Sequence, residues 1–251
     1  MKRSKSAPDQ QVPEQSQSSD GGTLSRDAAY PQLAKKASDG MYCYVVQRRI
    51  SLYISTFCVR RGISANAATG IDFLVAILAA WSLSQQHYIA GILLIQLFGL
   101  WSCVDGEVAR LTKSGSKLGD FYDTMTDRCA EFLIFAGVLF SMPESTTSLQ
   151  WGTLFFGYMG MVFLLTASSE KYRSVYHRNY EKNEHERVFS LLCAGSDTRF
   201  LYLSLAILFY LIDGQTAIIE WFVITMTILL AINLVFRMWK ISTLSHVASD
   251  T

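Results

Sequence analysis

Six long apolar segments, separated by short polar connections, constrain most strongly how this chain can fold. The segments run over about residues 66–85, 88–110, 118–141, 149–169, 198–213 and 216–237. A hydrocarbon core about 30 Å thick is crossed by roughly 20 apolar helical residues. Each segment is about this long, although the segment 198–213 is only marginally long enough. Inside lipid, backbone groups must find partners within the protein, and a helix provides them. We therefore predict an all-α polytopic membrane protein with six transmembrane helices.

The distribution of Lys and Arg predicts the orientation of these helices. Apart from Arg128, basic residues lie in the N-terminal region, near 110–117, between 171 and 199, and at the C-terminal end. The alternate connections contain no Lys or Arg. Because cytoplasmic connections carry the excess of positive charge, both termini and the two basic loops are predicted to be cytoplasmic. In a bacterium this would be the inner membrane.

The regions outside the apolar segments suggest how the chain is organised. Residues 1–32 are rich in Ser, Gln, Pro and Asp without an apolar run, which predicts a disordered cytosolic tail. Residues 41–61 alternate apolar side chains with arginines, a pattern of a juxtamembrane amphipathic helix, although an ordinary soluble helix fits as well. A six-helix domain over 62–241 and a cytosolic tail over 242–251 follow. The net charge of +1 indicates no nucleic acid partner, and membrane lipids are the expected surroundings.

Three carboxylates stand at fixed spacing around the connection between the second and third segments. The stretch 105–127 reads DGEVARLTKSGSKLGDFYDTMTD and contains Asp105, Asp123 and Asp127. The last two share one helix face, and the short connection makes the two helices antiparallel neighbours, so the three acids should converge at the cytoplasmic membrane surface. Such charges near lipid are costly unless they are paired or bind an ion. Carboxylate oxygens suit Mg²⁺ or Mn²⁺.

Small residues lie among these acids. Gly106 and Ala109 are one helical turn apart, and Gly119 opens the next helix. Without bulky side chains, two helices can approach closely, or a flat ligand can lie against the backbone. Helix packing explains the small residues by themselves, but it does not explain why they alternate with three aspartates and Arg110.

The spacing DG-x2-AR-x8-G-x3-D-x3-D resembles the signature of the CDP-alcohol phosphotransferase family, over about residues 45–240. The resemblance implies a homodimeric membrane transferase that moves a phospho-alcohol group from a CDP-alcohol donor to the hydroxyl of an alcohol acceptor and releases CMP. It implies Mg²⁺ or Mn²⁺ ligands at Asp105, Asp123 and Asp127, and Asp127 would also deprotonate the acceptor. The donor-binding residues would be Asn66, Thr69, Gly106, Ala109, Arg110, Ser116 and Gly119. Alternatively, Asn66 and Thr69 cap the first helix.

Ser102 departs from the family pattern, which usually has an aspartate three residues before the DG. A neutral hydroxyl binds a hard divalent ion more weakly than a carboxylate does. One metal site would then be weakened, completed by water, or served by another acid, for which Glu107, Asp120 and Asp72 are the candidates. Ser102→Asp should raise turnover if the site is merely weakened. The alternative is a catalytically impaired family member that acts as a membrane scaffold.

The acceptor side is predicted from three arginines. Arg128 directly follows Asp127, as in inositol-type members, although a salt bridge to Glu131 or Asp127 explains it as well. Arg173 and Arg199 are candidate ligands of a phosphorylated acceptor. The alternatives are a solvated basic loop for Arg173 and a structural pair with Asp197 for Arg199. A small transporter would instead place its acids at mid-depth on broken helices.

Overall fold

The computed structural model describes residue 40, residues 42–142 and residues 148–249, with side chains described up to residue 243. These residues form helices joined by short connections, and no strand occurs among them. The predicted disordered tail over 1–32 lies outside the described residues. The fold class is therefore all-α, as predicted.

The helices have the following bounds. A π-helical turn, Cys43–Gln47, leads into α1, Arg48–Arg60. The later helices are α2 Ala65–Ser84, α3 Tyr88–Leu111, α4 Lys117–Ser141, α5 Ser148–Tyr176, α6 Lys182–His185, α7 Arg187–Leu192, α8 Ser196–Asp213 and α9 Ala217–Ser249. Each of the six predicted segments is thus helical, and α9 continues into the region that was assigned to the C-terminal tail.

Local sequence signals explain several helix ends. The Ser64 side chain caps α2 by accepting the Ala67 N–H at 3.2 Å, and the Ser116 side chain caps α4 by accepting the Gly119 N–H at 3.0 Å. Each cap satisfies a backbone donor that the helix itself leaves free. At the other end of α8, Gly214 adopts the left-handed conformation with φ of 75°, which glycine reaches without steric cost.

Four of the helices are long and apolar enough to cross a membrane: Ala65–Ser84, Tyr88–Leu111, Leu149–Tyr176 and Ala217–Thr243. The other two predicted spans are α4, which carries several charged side chains in its first half, and α8, which is 18 residues long and contains Asp197, Arg199 and Asp213. Both pack against the apolar helices, α4 on α2 and α8 on α3 and α9. The total of six spans remains a prediction for α4 and α8.

Close packing of α2 with its neighbours forms the half of the molecule that carries the motif. α2 packs extensively against both α3 and α4, while α5 packs on α9. Gly137 of α4 lies against Ala80 of α2 so closely that an added Cβ would come within 2.4 Å of the Ala80 carbonyl oxygen. A small residue at this point permits the two backbones to approach.

A buried carboxylate attaches α1 to α3. Glu107 is fully buried, and its Oε1 accepts hydrogen bonds from Arg48 Nη1 at 3.0 Å and Ser51 Oγ at 2.7 Å. Its Oε2 accepts one from Ser55 Oγ at 2.5 Å. One side of α1 is therefore fixed to the protein. Other positions of the helix expose apolar side chains, among them Phe57, and its location on a membrane surface remains a prediction.

Candidate active site

The motif helices converge at one end of the molecule, where the start of α2, the end of α3 and the start of α4 enclose a cleft. Its empty volume is about 760 Å³. All of the predicted donor-binding residues line it, together with two of the predicted metal ligands: Asn66, Thr69, Asp105, Gly106, Ala109, Arg110, Ser116, Gly119 and Asp123. Residues from three separate helices, predicted on motif spacing and resemblance, thus share one cleft.

Asp105 is held in a fixed orientation at the wall of this cleft. Its Oδ2 accepts a hydrogen bond from the Thr69 hydroxyl at 2.9 Å, and its Oδ1 accepts one from the Gly106 N–H at 2.5 Å. The side chain is buried, so the two donors partly compensate for its removal from water. Thr69 therefore orients a predicted metal ligand, and the residue that caps α2 is Ser64.

Small residues make room around the cleft. A Cβ on Gly106 would lie 3.1 Å from Arg110 Nη1, and a Cβ on Gly119 would lie 3.1 Å from Ser116 Oγ and 3.6 Å from Asn66 Oδ1. Side chains at these two positions would crowd the predicted donor-binding residues.

A second cavity adjoins the first and contains the three predicted metal ligands. Its empty volume is about 1000 Å³, and Asp105, Asp123 and Asp127 all line it, as do Ser102 and Arg128. The Ser102 hydroxyl is 3.5 Å from Asp127 Oδ1 and is oriented to donate to it. The residue that departs from the family pattern therefore faces the predicted base.

The donor set of this cavity suits a hard divalent cation, since it consists of carboxylate oxygens from two helices. Within the part of the chain that the structure describes, no three His, Cys, Asp or Glu side chains already surround a single point closely enough to hold an ion. The three predicted aspartates nevertheless line one cavity. The residues present thus fit Mg²⁺ or Mn²⁺ by chemistry and position.

Glu131 binds two of the three predicted acceptor arginines. It is fully buried, and its carboxylate is paired through both oxygens with Arg199, Oε1 to Nε at 2.7 Å and Oε2 to Nη2 at 2.9 Å. Arg128 Nη1 also contacts Oε2 at 2.7 Å, while Arg128 Nη2 lies 3.9 Å from the Asp127 carboxylate. Both salt bridges that were considered for Arg128 are present. The partner of Arg199 is Glu131, and Asp197 instead accepts the Cys43 N–H at 2.8 Å.

Arg173 lies apart from the other two arginines, at the partly exposed end of α5. It pairs with Asp120 and lies 3.8 Å from Glu170. Asp120 belongs to the lining of the first cleft, so this pair connects α5 to the wall of the predicted donor site.

A third cavity, with an empty volume of about 630 Å³, extends from Asp127 toward the cationic side chains of Arg128, Arg199, Lys182 and Arg237. The motif did not indicate the last two residues. Arg237 is fully buried and forms two hydrogen bonds of 2.7 Å with Glu186. In the sequence Arg237 stands with Lys240 among the basic residues of the C-terminal end, so nothing there marked it as a buried residue beside the site.

Lys182, at the start of α6, lies outside the membrane helices and lines both the second and the third cavity. Removal from bulk water and the nearby guanidinium groups of Arg237, Arg128 and Arg199 lower the pKa of Lys182 to about 8. The ammonium group is therefore charged at neutral pH and loses its proton under mildly alkaline conditions.

Four helices long and apolar enough to cross a membrane, with a polar, acidic cleft at one end, indicate an integral membrane protein. Residues 63–239 match the model of the CDP-alcohol phosphatidyltransferase family, and the chain belongs to that family.

Several curated proteins are similar to this chain. The bifunctional IPC transferase and DIPP synthase of Archaeoglobus fulgidus is 31% identical over 140 residues, which are 56% of this chain and 27% of that protein. The protein of the same name from Thermococcus kodakarensis is 27% identical over 189 residues, 69% of this chain and 43% of that protein. The archaetidylinositol phosphate synthase of Pyrococcus horikoshii is 32% identical over 77 residues, 31% of this chain and 41% of that protein. The chain thus spans less than half the length of these relatives.

Two crystal structures of the Mycobacterium tuberculosis phosphatidylinositol phosphate synthase share the fold. The apo form superposes with a TM-score of 0.62 at 13% identity, covering 76% of this chain and 95% of that chain. The complex with manganese and citrate superposes with a TM-score of 0.59 at 14% identity, covering 77% and 89%. At this identity the likeness establishes the fold.

Proposed function

We propose that this chain is a divalent-metal-dependent CDP-alcohol phosphotransferase of the membrane. It transfers a phospho-alcohol group, phosphatidyl or similar, from a CDP-alcohol donor to the hydroxyl of an alcohol acceptor, in phospholipid or phosphodiester biosynthesis. The observation that carries the proposal is the first cleft, where all of the predicted donor-binding residues meet Asp105 and Asp123. Membership of the family supports the reaction class.

The first cleft suits the nucleotide part of the donor. Gly106, Ala109 and Gly119 leave space for a flat base and sugar against bare backbone. Arg110 places a guanidinium at the same wall, where it would bind a phosphate oxygen of the donor. Asn66 adds a side-chain amide that can donate and accept hydrogen bonds.

The aspartates would hold the metal at the junction of the first two cavities. Asp105, Asp123 and Asp127 supply its ligands, and Thr69 keeps Asp105 in place. When bound, Mg²⁺ or Mn²⁺ would neutralise charge on the pyrophosphate and on the departing CMP. A manganese complex of the structurally similar mycobacterial synthase agrees with this assignment.

Asp127 is suited to act as the base. Its carboxylate lies between the metal-binding cavity and the cationic third cavity, so an acceptor in the latter would present its hydroxyl beside it. The carboxylate would take the hydroxyl proton as the acceptor oxygen bonds to the phosphorus distal to cytidine. The bond from that phosphorus to the CMP oxygen breaks in line with the attack, and no covalent enzyme intermediate is needed.

The third cavity would bind the acceptor. Arg128, Lys182 and Arg199 give its wall positive charge, although Glu131 neutralises part of it. Two of the relatives are named as archaetidylinositol phosphate and phosphatidylinositol phosphate synthases. We therefore infer a phosphorylated polyol of the inositol type as the acceptor. Arg173 would contribute from the donor side through Asp120.

The remaining features follow from the distribution of charge and from the family. Six helices would span the membrane, with both termini and the active site on the cytoplasmic side and α1 along the membrane surface. The domain would cover residues 62–241, and two copies of the chain would form a homodimer. A fusion of a reporter enzyme to either terminus should therefore report a cytoplasmic location.

The reaction can be tested directly with the purified full chain in nanodiscs. The protein is given pairs of CDP-alcohols and polyols or polyol phosphates with Mg²⁺ or Mn²⁺, and products are identified by mass spectrometry. We expect CMP and one new phosphodiester from at least one pair. Asp105→Asn and Asp127→Asn should each reduce the rate at least a hundredfold, because each removes a ligand or the base. Asp213→Asn, at the exposed end of α8, is the matched control.

The position of Ser102 favours a second candidate function, that of a catalytically impaired scaffold. A hydroxyl stands beside Asp127 where the family pattern has a carboxylate. A folded protein that releases no CMP from any pair would establish this alternative, and uptake into vesicles without CMP release would instead indicate a transporter.

A further inference from the structure

Asp72 is a buried acid on α2 that the motif does not include. The residue is 2% exposed, and its Oδ1 has no hydrogen-bond partner among the described residues. Its charge lies close enough to interact with those of Asp127, Asp105 and Asp123, most strongly with that of Asp127. A carboxylate so placed is costly in a low dielectric unless a cation or a donor compensates for it.

Two contacts fix the register of α2 against α3. Thr69 Oγ1 donates to Asp105 Oδ2 at 2.9 Å, and Trp101 Nε1 donates to the Ala68 carbonyl at 3.0 Å. The helices are antiparallel, so one turn forward from Thr69 and one turn back from Asp105 lead to the same depth. One turn after Thr69 on α2 is Asp72, and one turn before Asp105 on α3 is Ser102.

α4 reaches the same depth with Asp127. It runs parallel to α2, and Asp127 lies one turn beyond Asp123. The 3.5 Å contact between Ser102 Oγ and Asp127 Oδ1 places these two residues at one level. Asp72, Ser102 and Asp127 therefore form a deeper layer of the site, and Thr69, Asp105 and Asp123 form the outer layer.

The other acids that might compensate for Ser102 are engaged elsewhere. Glu107 accepts hydrogen bonds from α1 through both of its oxygens. Asp120 is exposed and pairs with Arg173. Among these candidates, Asp72 alone combines burial, closeness to all three motif aspartates and an oxygen without a partner.

We propose that Asp72 supplies the carboxylate that α3 lacks at Ser102, so that the deeper layer of the site binds a divalent cation through α2 and α4. The number of acids in the site is then the same as in the family pattern, with one acid moved to a neighbouring helix. This inference rests on the proposed function of the site as a metal centre. It explains how the chain can keep a complete metal site without the usual aspartate.

The test measures Mn²⁺ alone, by calorimetry and by electron paramagnetic resonance, on the full chain in detergent. Asp72→Asn should weaken Mn²⁺ binding at least tenfold or remove one of the bound ions. Adding Ser102→Asp to Asp72→Asn should recover the lost binding, because the carboxylate returns to the same layer from α3. In the wild-type background, Ser102→Asp should change the affinity less than threefold, because the layer already contains its acid. Asp213→Asn is again the control for a charge change outside the site.

Several outcomes would overturn the inference. One is unchanged Mn²⁺ binding by a folded Asp72→Asn variant. Another is a gain of tenfold or more from Ser102→Asp in the wild type, which would show that the layer lacks an acid. If Asp72→Asn does not fold, the Ser102→Asp comparison decides alone, since it leaves Asp72 in place.

The metal and activity measurements separate this inference from the proposed function. Suppose that the wild type releases CMP in a reaction that depends on Asp105, and that Asp72→Asn binds Mn²⁺ as the wild type does. This result would overturn only the role of Asp72. A wild-type protein that binds no Mn²⁺ would overturn both.

Discussion

Glu131 contributes to the site by holding Arg199 and Arg128 in position. Its carboxylate is fully buried and compensates the charges of Arg199 and Arg128, one from α8 and one from α4. Tyr158 adds a hydroxyl 3.5 Å from Oε1. Since Asp127 lies one turn before Glu131, this cluster also fixes the rotation of α4 that directs Asp127 into the cavity.

Glu131→Gln should destabilise the protein strongly. The amide keeps the shape of the side chain but removes the counter-charge of the buried Arg199 and one of the two acidic partners of the partly buried Arg128. Breaking a buried pair in this way costs about 3–5 kcal/mol. The unfolding midpoint of the protein in detergent should fall accordingly. Glu184→Gln changes an exposed acid of α6 and should leave the midpoint where it is. Equal midpoints for the two variants would contradict this role.

The loss of charge on Lys182 should make acceptor binding weaker at alkaline pH. Its pKa is lowered to about 8, so the ammonium is charged below that pH and becomes neutral as the pH rises through it. The KM for a phosphorylated acceptor should therefore rise above pH 8. Lys182→Arg keeps a positive charge and should move this rise to higher pH, while Lys182→Met should raise KM several-fold already at pH 7.

The control for Lys182 is Lys240→Met in α9, a position outside the cavities described. Its KM should follow that of the wild type at every pH. If Lys182→Arg retained the wild-type rise near pH 8, the limit would belong to another group.

Motif spacing together with the family resemblance predicted the residues that line the first cleft, and their roles in binding remain proposals. Helical periodicity and a connection of a few residues determine where Gly106, Asp123 and Asp127 can lie relative to one another. The partner of Arg199 could not be predicted in the same way, because Glu131 is 68 positions away and meets it only through the packing of α4 with α8. Lys182 begins α6, a helix of four residues that is too short to show a periodic pattern, so nothing in its neighbourhood indicated a cavity.

At the level of the helices, the contact of α2 with α4 sets the geometry of the site. α2 supplies Thr69 and α4 supplies Asp123, and the two backbones lie in close contact at Gly137 and Ala80. A displacement there would tilt one helix against the other and separate the site residues that the two helices carry. Close packing makes such a displacement difficult to absorb.

Gly137→Ala should therefore lower both stability and activity. Its Cβ would lie 2.4 Å from the Ala80 carbonyl oxygen, and overpacking of this kind costs about 1–3 kcal/mol. Gly160→Ala in α5 is the matched control, since a Cβ at that position meets nothing within 4 Å. Thermal midpoints and CMP release should separate the two variants, and an unperturbed Gly137→Ala protein would show that the helices are free to adjust.

Hydropathy predicts where helices begin better than where they end. The predicted starts of α2 and α3 agree with the structure to within a residue, since apolar runs begin there. α5 and α9 extend beyond their predicted ends at 169 and 237, to Tyr176 and Ser249. Hydropathy marks the edge of the lipid, whereas backbone hydrogen bonding continues into polar sequence for as long as no residue interrupts it.

For the whole molecule, an exposed row of side chains on α4 is the feature that concerns assembly. Phe121, Met125, Cys129 and Phe132 are exposed at helical spacing. Lipid or a second copy of the chain could cover such a row, and the homodimer that we propose would cover it with the second copy.

Oxidative cross-linking tells whether lipid or a second copy of the chain covers this row of α4. Cys129 is exposed whereas the other cysteines are buried, so a dimer packed through α4 should give a disulfide-linked band in membranes treated with copper phenanthroline. Cys129→Ser should abolish the band, and Cys58→Ser should leave it. A monomer that persists in mild detergent and never cross-links would assign the row to lipid.

Gly40 approaches Asp197 so closely that an added Cβ would lie 2.0 Å from its Oδ1, and both residues line the cavity that contains Asp105 and Asp127. A shortened protein that began at residue 40 would replace a neutral peptide nitrogen with an α-ammonium group at that wall. The new cation would face Asp197 and change the charge of the cavity. Comparing full-length and shortened enzymes would therefore measure this added charge as well as the loss of the preceding residues, and an acetylated N-terminus would be needed to tell the two effects apart.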